Sequence, residues 1–449
     1  MTKIIKAKKL PKDPGPAAWN EILEPVSGYP ELNENIQADW VIVGGGFAGL
    51  AAARRLSQLV GEDETIVVLE ARRLASGPAG RNSGFMIDLP HDLNSETYAG
   101  THSADLQQIR LNRAAIKFAG EMATEYGMDK HVFDPCGKVT AAASEKGMAH
   151  IQSYQNHLDV LGEKYDFKNT ADMKDWTGSE FYQAGLFTPG TVMIQPAAFI
   201  RYAAQGLSNR VSFYENSPVV QLEVGETHTL KTPKAKITAK NIIMAVNGHI
   251  QSFGFFPRQL LHVFTYASMT RALNEREIKQ LGGASDWGIL PADPMGTTVR
   301  RCSSFNGSGD RIVIRNHATL NQSMEASENN MKKAAALQDR SFAARFPMLN
   351  EVAMEHRWGG RLCLSWNSMP AFGELDKRVW SACCQNGLGT VKGTLSGMMA
   401  AEQAVLGSSA LLETFLNHNA PRVLPPEPFL SIGANVTMRW KEWQAGIEL

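Results

Sequence analysis

The sequence predicts an α/β protein, α+β overall, in which a parallel-stranded nucleotide-binding unit is joined to a second unit built on an antiparallel sheet. Three observations carry that reading. An apolar strand, a glycine turn and an alanine-rich helix follow one another from residue 39 (DWVIVGGGFAGL), and a second strand, turn and helix of small residues occupies 378–407 (RVWSACCQNGLGTVKGTLSGMMAAEQAVLG). Between them, LLHVFTYASMTR (260–271) and DRIVIRNH (310–317) alternate as strands do when one face of the sheet is wet.

Residues 1–38 carry Pro11, Pro14, Pro16, Pro25 and Pro30 and read as an extended arm wrapping the first unit. Val41, Ile42 and Val43 then form the short apolar run of a buried parallel strand, and Gly44, Gly46 and Gly49 fall in GxGxxG spacing. Gly44 permits the tight turn, Gly46 lets backbone approach a pyrophosphate, and Gly49 lets the helix lie close to the strand. The helix starting near Phe47 and Ala48 presents unpaired N–H groups to phosphate. Glu70 closes the next strand, TIVVLE, where it can accept both ribose hydroxyls and disfavours a 2′-phosphate, so NADP is not expected. The motif alone leaves FAD and NAD open.

Apolar spacing fits helices at 103–126 and 145–161, outside the dinucleotide pattern. GTVMIQPAAFIRYAAQGL (190–207) reads as a strand or turn stopped at Pro196 and followed by a helix. VSFYENSPVVQLE (211–223) reads as two short strands around Pro218, 227–237 as a hairpin, and KNIIMAVNGH (240–249) as an apolar strand ending in Asn-Gly. A helix is expected over 325–346, and the proline-rich PRVLPPEPFL near the C-terminus as an arm.

The 449 residues suffice for two domains. Lysine plus arginine equals aspartate plus glutamate, 45 against 45, and no basic run is interleaved with aromatics, so a nucleic-acid partner is not expected. The basic N-terminus lacks the apolar core of a signal peptide, and no window approaches the length of a membrane span. Five scattered cysteines suit a reducing cytoplasm and read as buried thiols, with Cys383 and Cys384 on opposite faces of a strand. Without CxxC or HExxH, no metal is implied.

Taken together these segments resemble the glycine and D-amino acid oxidase (DAO) family of flavoproteins over nearly the whole chain, with the γ-glutamylputrescine oxidoreductase-like branch nearest. GGGFAGLAAARRL and VVLEARRL are similar to that family's FAD fingerprint and ribose-binding acid, extending the site to Ala71 and Arg72. PAGRNSG (78–84) resembles its flavin loop, implicating Gly80, Arg81, Asn82 and Ser83. SPVVQLE resembles the adenine-holding strand and so implicates Val219; KNIIMAVNGH resembles the strand ending beneath the cofactor and implicates Asn247 and Gly248. EHRWGGRLCLSWNSMPAFGEL followed by QNGLGTVKG resembles the closing signature, implicating Gly387, Leu388, Gly389 and Thr390. The turn at 386–390 also opens a helix whose dipole suits negative charge on a reduced flavin.

The resemblance implies a Rossmann-like FAD-binding domain formed by 1–100, 185–250 and 355–449, and a substrate domain formed by 101–184 and 251–354. It implies oxidation of a carbon–nitrogen bond by hydride delivery to flavin N5, giving an imine that hydrolyses. It places DRIVIRNH opposite the flavin, where alternation sets Val313, Arg315 and His317 on one side and Ile312 and Ile314 on the other. Arg315 and Arg300 are candidates to hold an acidic substrate group through the guanidinium fork, His317 to accept a proton, and Tyr266 to supply a hydroxyl. Each has a plainer reading: surface charge for the arginines, structural hydrogen bonding for His317, core filling for Tyr266.

Two departures from sarcosine-oxidase-like relatives matter. Val313 stands where they carry a lysine that assists oxygen, so a dehydrogenase passing electrons to a quinone or carrier is the alternative to an oxidase. Gly360, not Cys363, matches their flavin-linking cysteine, so FAD is expected to be non-covalent. A non-catalytic, electron-relay subunit of a larger complex is the third reading.

Overall fold

The computed structural model describes residues 3–90, 101–305, 307–416 and 419–449. A nine-stranded sheet has Ile36–Val43 near its centre, parallel to Ile66–Leu69 on one side and Lys236–Met244 on the other. Val211–Tyr214 extends the parallel row, and Val379–Cys383 joins it beside the last residues of Lys236–Met244. The apolar run behaves as its composition dictates: Val41, Ile42 and Val43 are all buried, because helices or loops cover both faces. The hairpin strands Gln221–Val224 and His228–Lys231 continue the sheet, and the N-terminal strand Lys3–Lys6 pairs antiparallel at its edge.

Two helices, Phe47–Leu59 and Gly389–Leu406, follow strands of this sheet and lie against each other. Their approach depends on glycine: a Cβ at Gly397 would stand 1.9 Å from the Ala48 carbonyl oxygen. Sequence-distant strand-turn-helix units are thereby held side by side, with their N-termini facing the same space.

The second sheet has eight strands in the order Met354–Ser365, Leu260–Thr270, Arg311–Leu320, Thr298–Cys302, Trp287–Pro291, Lys138–Ala142, Ala184–Thr188 and Asp166–Lys168. All pairings are antiparallel except that of Trp287–Pro291 with Lys138–Ala142. Ile312 and Ile314 pack with Phe342 and Phe346 beneath the helix Glu328–Arg345, whereas Val313 packs with Met269 and Trp358 in the core shared with the first sheet. The strand therefore has one face toward the nucleotide unit and one toward its own helix.

Several boundaries differ from expectation. Met354–Ser365, grouped by sequence with the nucleotide unit, is hydrogen-bonded into the second sheet along its whole length against Leu260–Thr270. Ala184–Thr188 straddles the expected boundary at 185 and also belongs to the second sheet. The proline-rich C-terminal segment leads into a helix that sequence reading passed over, Phe429–Ala445, which rests on Arg311–Leu320. Cys383 ends its strand and Cys384 turns to a left-handed φ of 57°, so the two thiols share one buried cluster with Cys363 instead of facing opposite ways. All five cysteines are free, and Cys136 is exposed. Among the described residues, no helix is long and apolar enough to cross a membrane, and no group of His, Cys, Asp or Glu is placed to hold a metal.

Candidate cofactor and substrate site

A cleft runs past the carboxyl ends of the parallel strands, where open α/β sheets bind ligands. Gly44, Gly46, Phe47, Ala48, Glu70, Ala71, Arg72, Asn82, Val219, Asn247, Gly387 and Gly389 line it.

The helix starts give the strongest sign of an anionic occupant. Ser144, Asn169, Gln195, Asn274 and Ser327 each turn a side-chain oxygen onto the first amides of their helices, whereas Ala18–Glu21, His102–Glu125 and Phe429–Ala445 start without a side-chain cap away from the cleft. The helices Phe47–Leu59 and Gly389–Leu406 have no such side-chain cap, and both begin at the cleft. Their first N–H groups and positive dipole ends are left for something else to satisfy.

The glycines divide into two kinds. A Cβ at Gly49 would lie 1.8 Å from the Gly44 carbonyl oxygen, and Gly44, with φ of 107°, would meet the Ala245 carbonyl at 2.6 Å. Those two are required by packing and turn. At Gly46 a Cβ would meet only the Ala79 Cβ, at 3.4 Å, and at Gly389 nothing within 4 Å. Neither absence of a side chain is explained by the protein's own atoms, which fits a ligand lying close to the backbone.

Glu70 is held in place by two amides: Gly45 N–H donates to Oε2 at 2.9 Å and Arg72 N–H to Oε1 at 3.0 Å. Burial nevertheless dominates and pushes its pKa up. Ribose hydroxyl donors would favour the ionised form there.

Six other expected cofactor residues make contacts within the protein. Arg81 spends its guanidinium on four backbone carbonyls, Ser76 (2.7 Å), Pro14 (2.9 Å), Gly359 (3.1 Å) and Gly15 (2.8 Å), and so ties loop, arm and second sheet together. Gly80 packs on the Ala75 carbonyl, Gly248 on the His262 ring, and Ser83 gives its carbonyl to Arg300. Thr390 donates to the Phe85 carbonyl at 2.6 Å, while Leu388 packs with Phe85, Met193 and Leu290. None of these six lines the cleft.

Sequence reading missed two contributors. Arg361 lines the cleft almost wholly buried, with Nη1 against His249 Nε2 at 2.5 Å and Nε without a hydrogen-bond partner. Burial first, then the Arg361 charge, pulls His249 down to about 2, so its partner is neutral. A desolvated cation without a carboxylate at hydrogen-bond distance suits an anionic ligand. Its signal lay in RWGGRLCLSW, but nothing local said which way the side chain points. The second is the arm: Lys9, Leu10 and Pro11 line the cleft, pinned by Ala7 N–H to the Val220 carbonyl and by Gly359 N–H to the Pro14 carbonyl.

Of the four catalytic candidates the fold brings together fewer than expected. Arg315, beside Ala267 and Thr298, shares the nucleotide-facing side of its strand with Val313; it is half-buried, with Nη1 3.5 Å from Thr298 Oγ1. His317 breaks the alternation. Thr265 pairs with Ala318 and Tyr266 with Asn316, so His317 is the unpaired residue of a bulge, at φ of 59°. Its Nδ1 meets Glu442 Oε1 at 2.8 Å on the C-terminal helix, and it stacks on Tyr266 at 5.8 Å. Tyr266 faces the helix Glu328–Arg345, packing with Phe264 and Ala334, its hydroxyl 2.6 Å from Thr319 Oγ1. Neither of these two lines the cleft, and nor does Arg315. Arg300 is buried over the Trp19 ring, donates to the Ser83 and Ile194 carbonyls, and lines a separate small cavity.

Comparison with known proteins agrees with this architecture. The family model described as "FAD dependent oxidoreductase" (DAO) matches residues 39–403. The γ-glutamylputrescine oxidoreductase of Escherichia coli K12 is 24% identical over 409 residues, covering 89% of this chain and 90% of its own. The probable oxidoreductase OrdL of Haemophilus influenzae is 24% identical over 411 residues, 88% of this chain and 89% of that one. The crystal structure of glycine oxidase from Geobacillus kaustophilus superposes with a TM-score of 0.67 at 17% identity, covering 87% of this chain and all of its own.

Proposed function

The chain belongs to the DAO family of FAD-dependent oxidoreductases, and from that premise we propose that it oxidises the C–N bond of a small amine or amino acid bearing an acidic group. Bound FAD supplies the two-electron acceptor; the protein orients the amine and holds the cofactor. The uncapped start at Phe47 and Ala48 would receive the pyrophosphate, Glu70 the ribose, and the start at Gly389 the electron-rich edge of the ring system. Arg361 adds a buried positive charge to the same cleft.

The observation that carries the substrate reading is the position of Arg315. It is a guanidinium on the face of the second sheet that looks toward the nucleotide unit, though it does not itself line the cleft, and a guanidinium can grip a carboxylate by two parallel hydrogen bonds. That grip fixes the amine carbon and leaves the nitrogen in an apolar setting beside Val313, where burial favours the neutral amine over the ammonium. The imine product hydrolyses. FAD is held without a covalent bond: Gly360 offers no thiol, and the hydrogen bond with Cys384 together with burial pushes the Cys363 thiol well above its ordinary range.

An anaerobic screen of amines, N-methyl amino acids and ω-amino acids, following loss of flavin absorbance, tests this. Bleaching by a carboxylated amine supports it, and bleaching by NAD(P)H alone ends it. Val313, buried in an apolar cluster, favours a second reading for the oxidative half: electrons pass to a quinone or carrier rather than to oxygen. Stopped-flow reoxidation decides, since rapid reaction with air removes that reading. A cytoplasmic location completes the proposal.

A further inference from the structure

The helix Phe429–Ala445 lies beyond the family-matched span and carries an apolar stripe that this chain leaves uncovered. Phe429, Ile432, Val436, Trp440 and Trp443, continued by Ile447, are between 50 and 77% exposed. At 100° per residue the five that belong to the helix fall within one narrow sector of it. A loose terminal helix would not present such a stripe in a defined direction, but this one is anchored. Glu442 Oε1 receives His317 Nδ1 at 2.8 Å and the Ala318 amide at 3.2 Å. Glu448 receives the Ala143 and Ser144 amides at 2.7 and 3.0 Å, and its carbonyl accepts from Arg345 at 2.9 Å.

Three features choose the occupant. Within the helix the stripe is nearly its own mirror image along the axis: 432 and 443, and 436 and 440, are placed symmetrically about residue 438, the first pair to within half a residue. That is the self-complementarity a twofold interface demands. The exposed side chains offer on the order of 700 Å² per protomer, close to the roughly 800 Å² that each partner buries in a standard stable interface. A lipid surface fits poorly, because segment 427–449 carries Glu427, Glu442 and Glu448 against Arg439 and Lys441, and Arg439 is already paired with Glu442.

We propose that this helix packs antiparallel against the same helix of a second copy, across a twofold axis at the level of residue 438, making the protein a homodimer. In that register Val436 of each copy meets Trp440 of the other. The helix dipoles oppose, and the two stripes close over each other. The dimer contact also sits directly behind the bulge at His317, and so steadies the strand that carries Arg315.

The experiment is light scattering on size-exclusion chromatography of the FAD-loaded full chain at about 10 µM, where an interface of micromolar affinity is largely formed. The wild type is expected at two chains. Val436→Glu and Trp440→Lys are each expected at one chain while keeping bound FAD. Mixing the two variants is expected to restore the two-chain mass, because the carboxylate introduced in one copy then faces the ammonium introduced in the other. A monomeric wild type overturns the proposal, as does a dimer untouched by both substitutions. Co-sedimentation of the wild type with phosphatidylcholine/phosphatidylglycerol vesicles alongside a monomeric mass overturns it in favour of a membrane surface. Loss of FAD by a variant does not rescue the idea, because the wild-type mass stands by itself.

Discussion

Gly46 gives a sharp test of whether the cleft is built around a phosphate-bearing ligand. Its φ of −88° and ψ of −167° are open to alanine, and the added methyl would meet only the Ala79 Cβ at 3.4 Å, an ordinary contact. Gly46→Ala should therefore leave the stability of the protein without cofactor within about 0.5 kcal/mol. The methyl projects into the space where backbone and pyrophosphate approach. Displacing the phosphate enough to lose one charge-assisted hydrogen bond costs about 1.5–3 kcal/mol. Affinity for FAD falls by roughly 10- to 150-fold. Gly49→Ala makes the opposite control: at 1.8 Å from the Gly44 carbonyl oxygen its methyl cannot be accommodated without moving strand or helix, and it should lower the melting temperature steeply even without FAD. Fluorescence titration of the deflavinated protein with FAD gives the affinity, and thermal unfolding of the same samples gives stability. If Gly46→Ala binds FAD as the wild type does, or unfolds as Gly49→Ala does, the assignment of the first helix start to the pyrophosphate is wrong.

Arg315→Ala should raise KM for a carboxylated amine by about 10- to 100-fold while leaving FAD affinity unchanged, the loss of a bidentate charged contact; equal KM values for carboxylated and decarboxylated substrates in the wild type would remove that role. Arg361→Met should weaken FAD binding by roughly tenfold or more without lowering the melting temperature of the deflavinated protein, because it removes a buried cation whose hydrogen-bond partner is neutral. Glu442→Gln and His317→Ala should each cost about 1–3 kcal/mol of stability in thermal unfolding, yet change the rate of anaerobic flavin reduction less than about threefold; a hundredfold slower reduction would return His317 to the chemistry. Glu442 also sets a pH dependence. Burial raises its pKa, but the His317 hydrogen bond and charge, the Ala318 amide and Arg439 outweigh burial and hold it below the ordinary value. Its contribution is therefore complete above about pH 4.5, the unfolded value, and is lost as pH falls through the lower folded value. Acid titration of stability should show that loss in the wild type and not in Glu442→Gln.

How much of this was legible beforehand depends on the range of the interaction involved. The strand, glycine turn and helix at 39–59 could be read because each is specified by neighbours within a few residues: an apolar run, Gly44 for the turn, Gly49 for the close approach to Gly44. Glu70 could be read because its place is set by the length of one strand-helix-strand unit. The face on which Arg315 lies could be read in the same way, since it stands two positions from the buried Val313 on an alternating strand.

His317 shows where local logic stopped. Two residues beyond Arg315, period-two alternation placed it on the same face, but a bulge inserted it between pairs and gave it to Glu442, 125 residues away. A bulge is a property of two strands in register, so a single strand's sequence does not contain it. Arg81 and Arg361 teach the same lesson in opposite directions. The arginine in a recognisable loop is consumed by carbonyls from the arm and the second sheet, whereas the unremarked one in a strand ends up buried in the cleft.

The cofactor-binding elements were written into the amino-acid order, because helix starts, tight turns and buried strands are encoded over a few residues. Which polar side chains remain for chemistry was settled by long-range packing alone. That depends on what every other donor and acceptor brought nearby has already claimed, and those partners lie from tens of residues to more than two hundred apart along the chain.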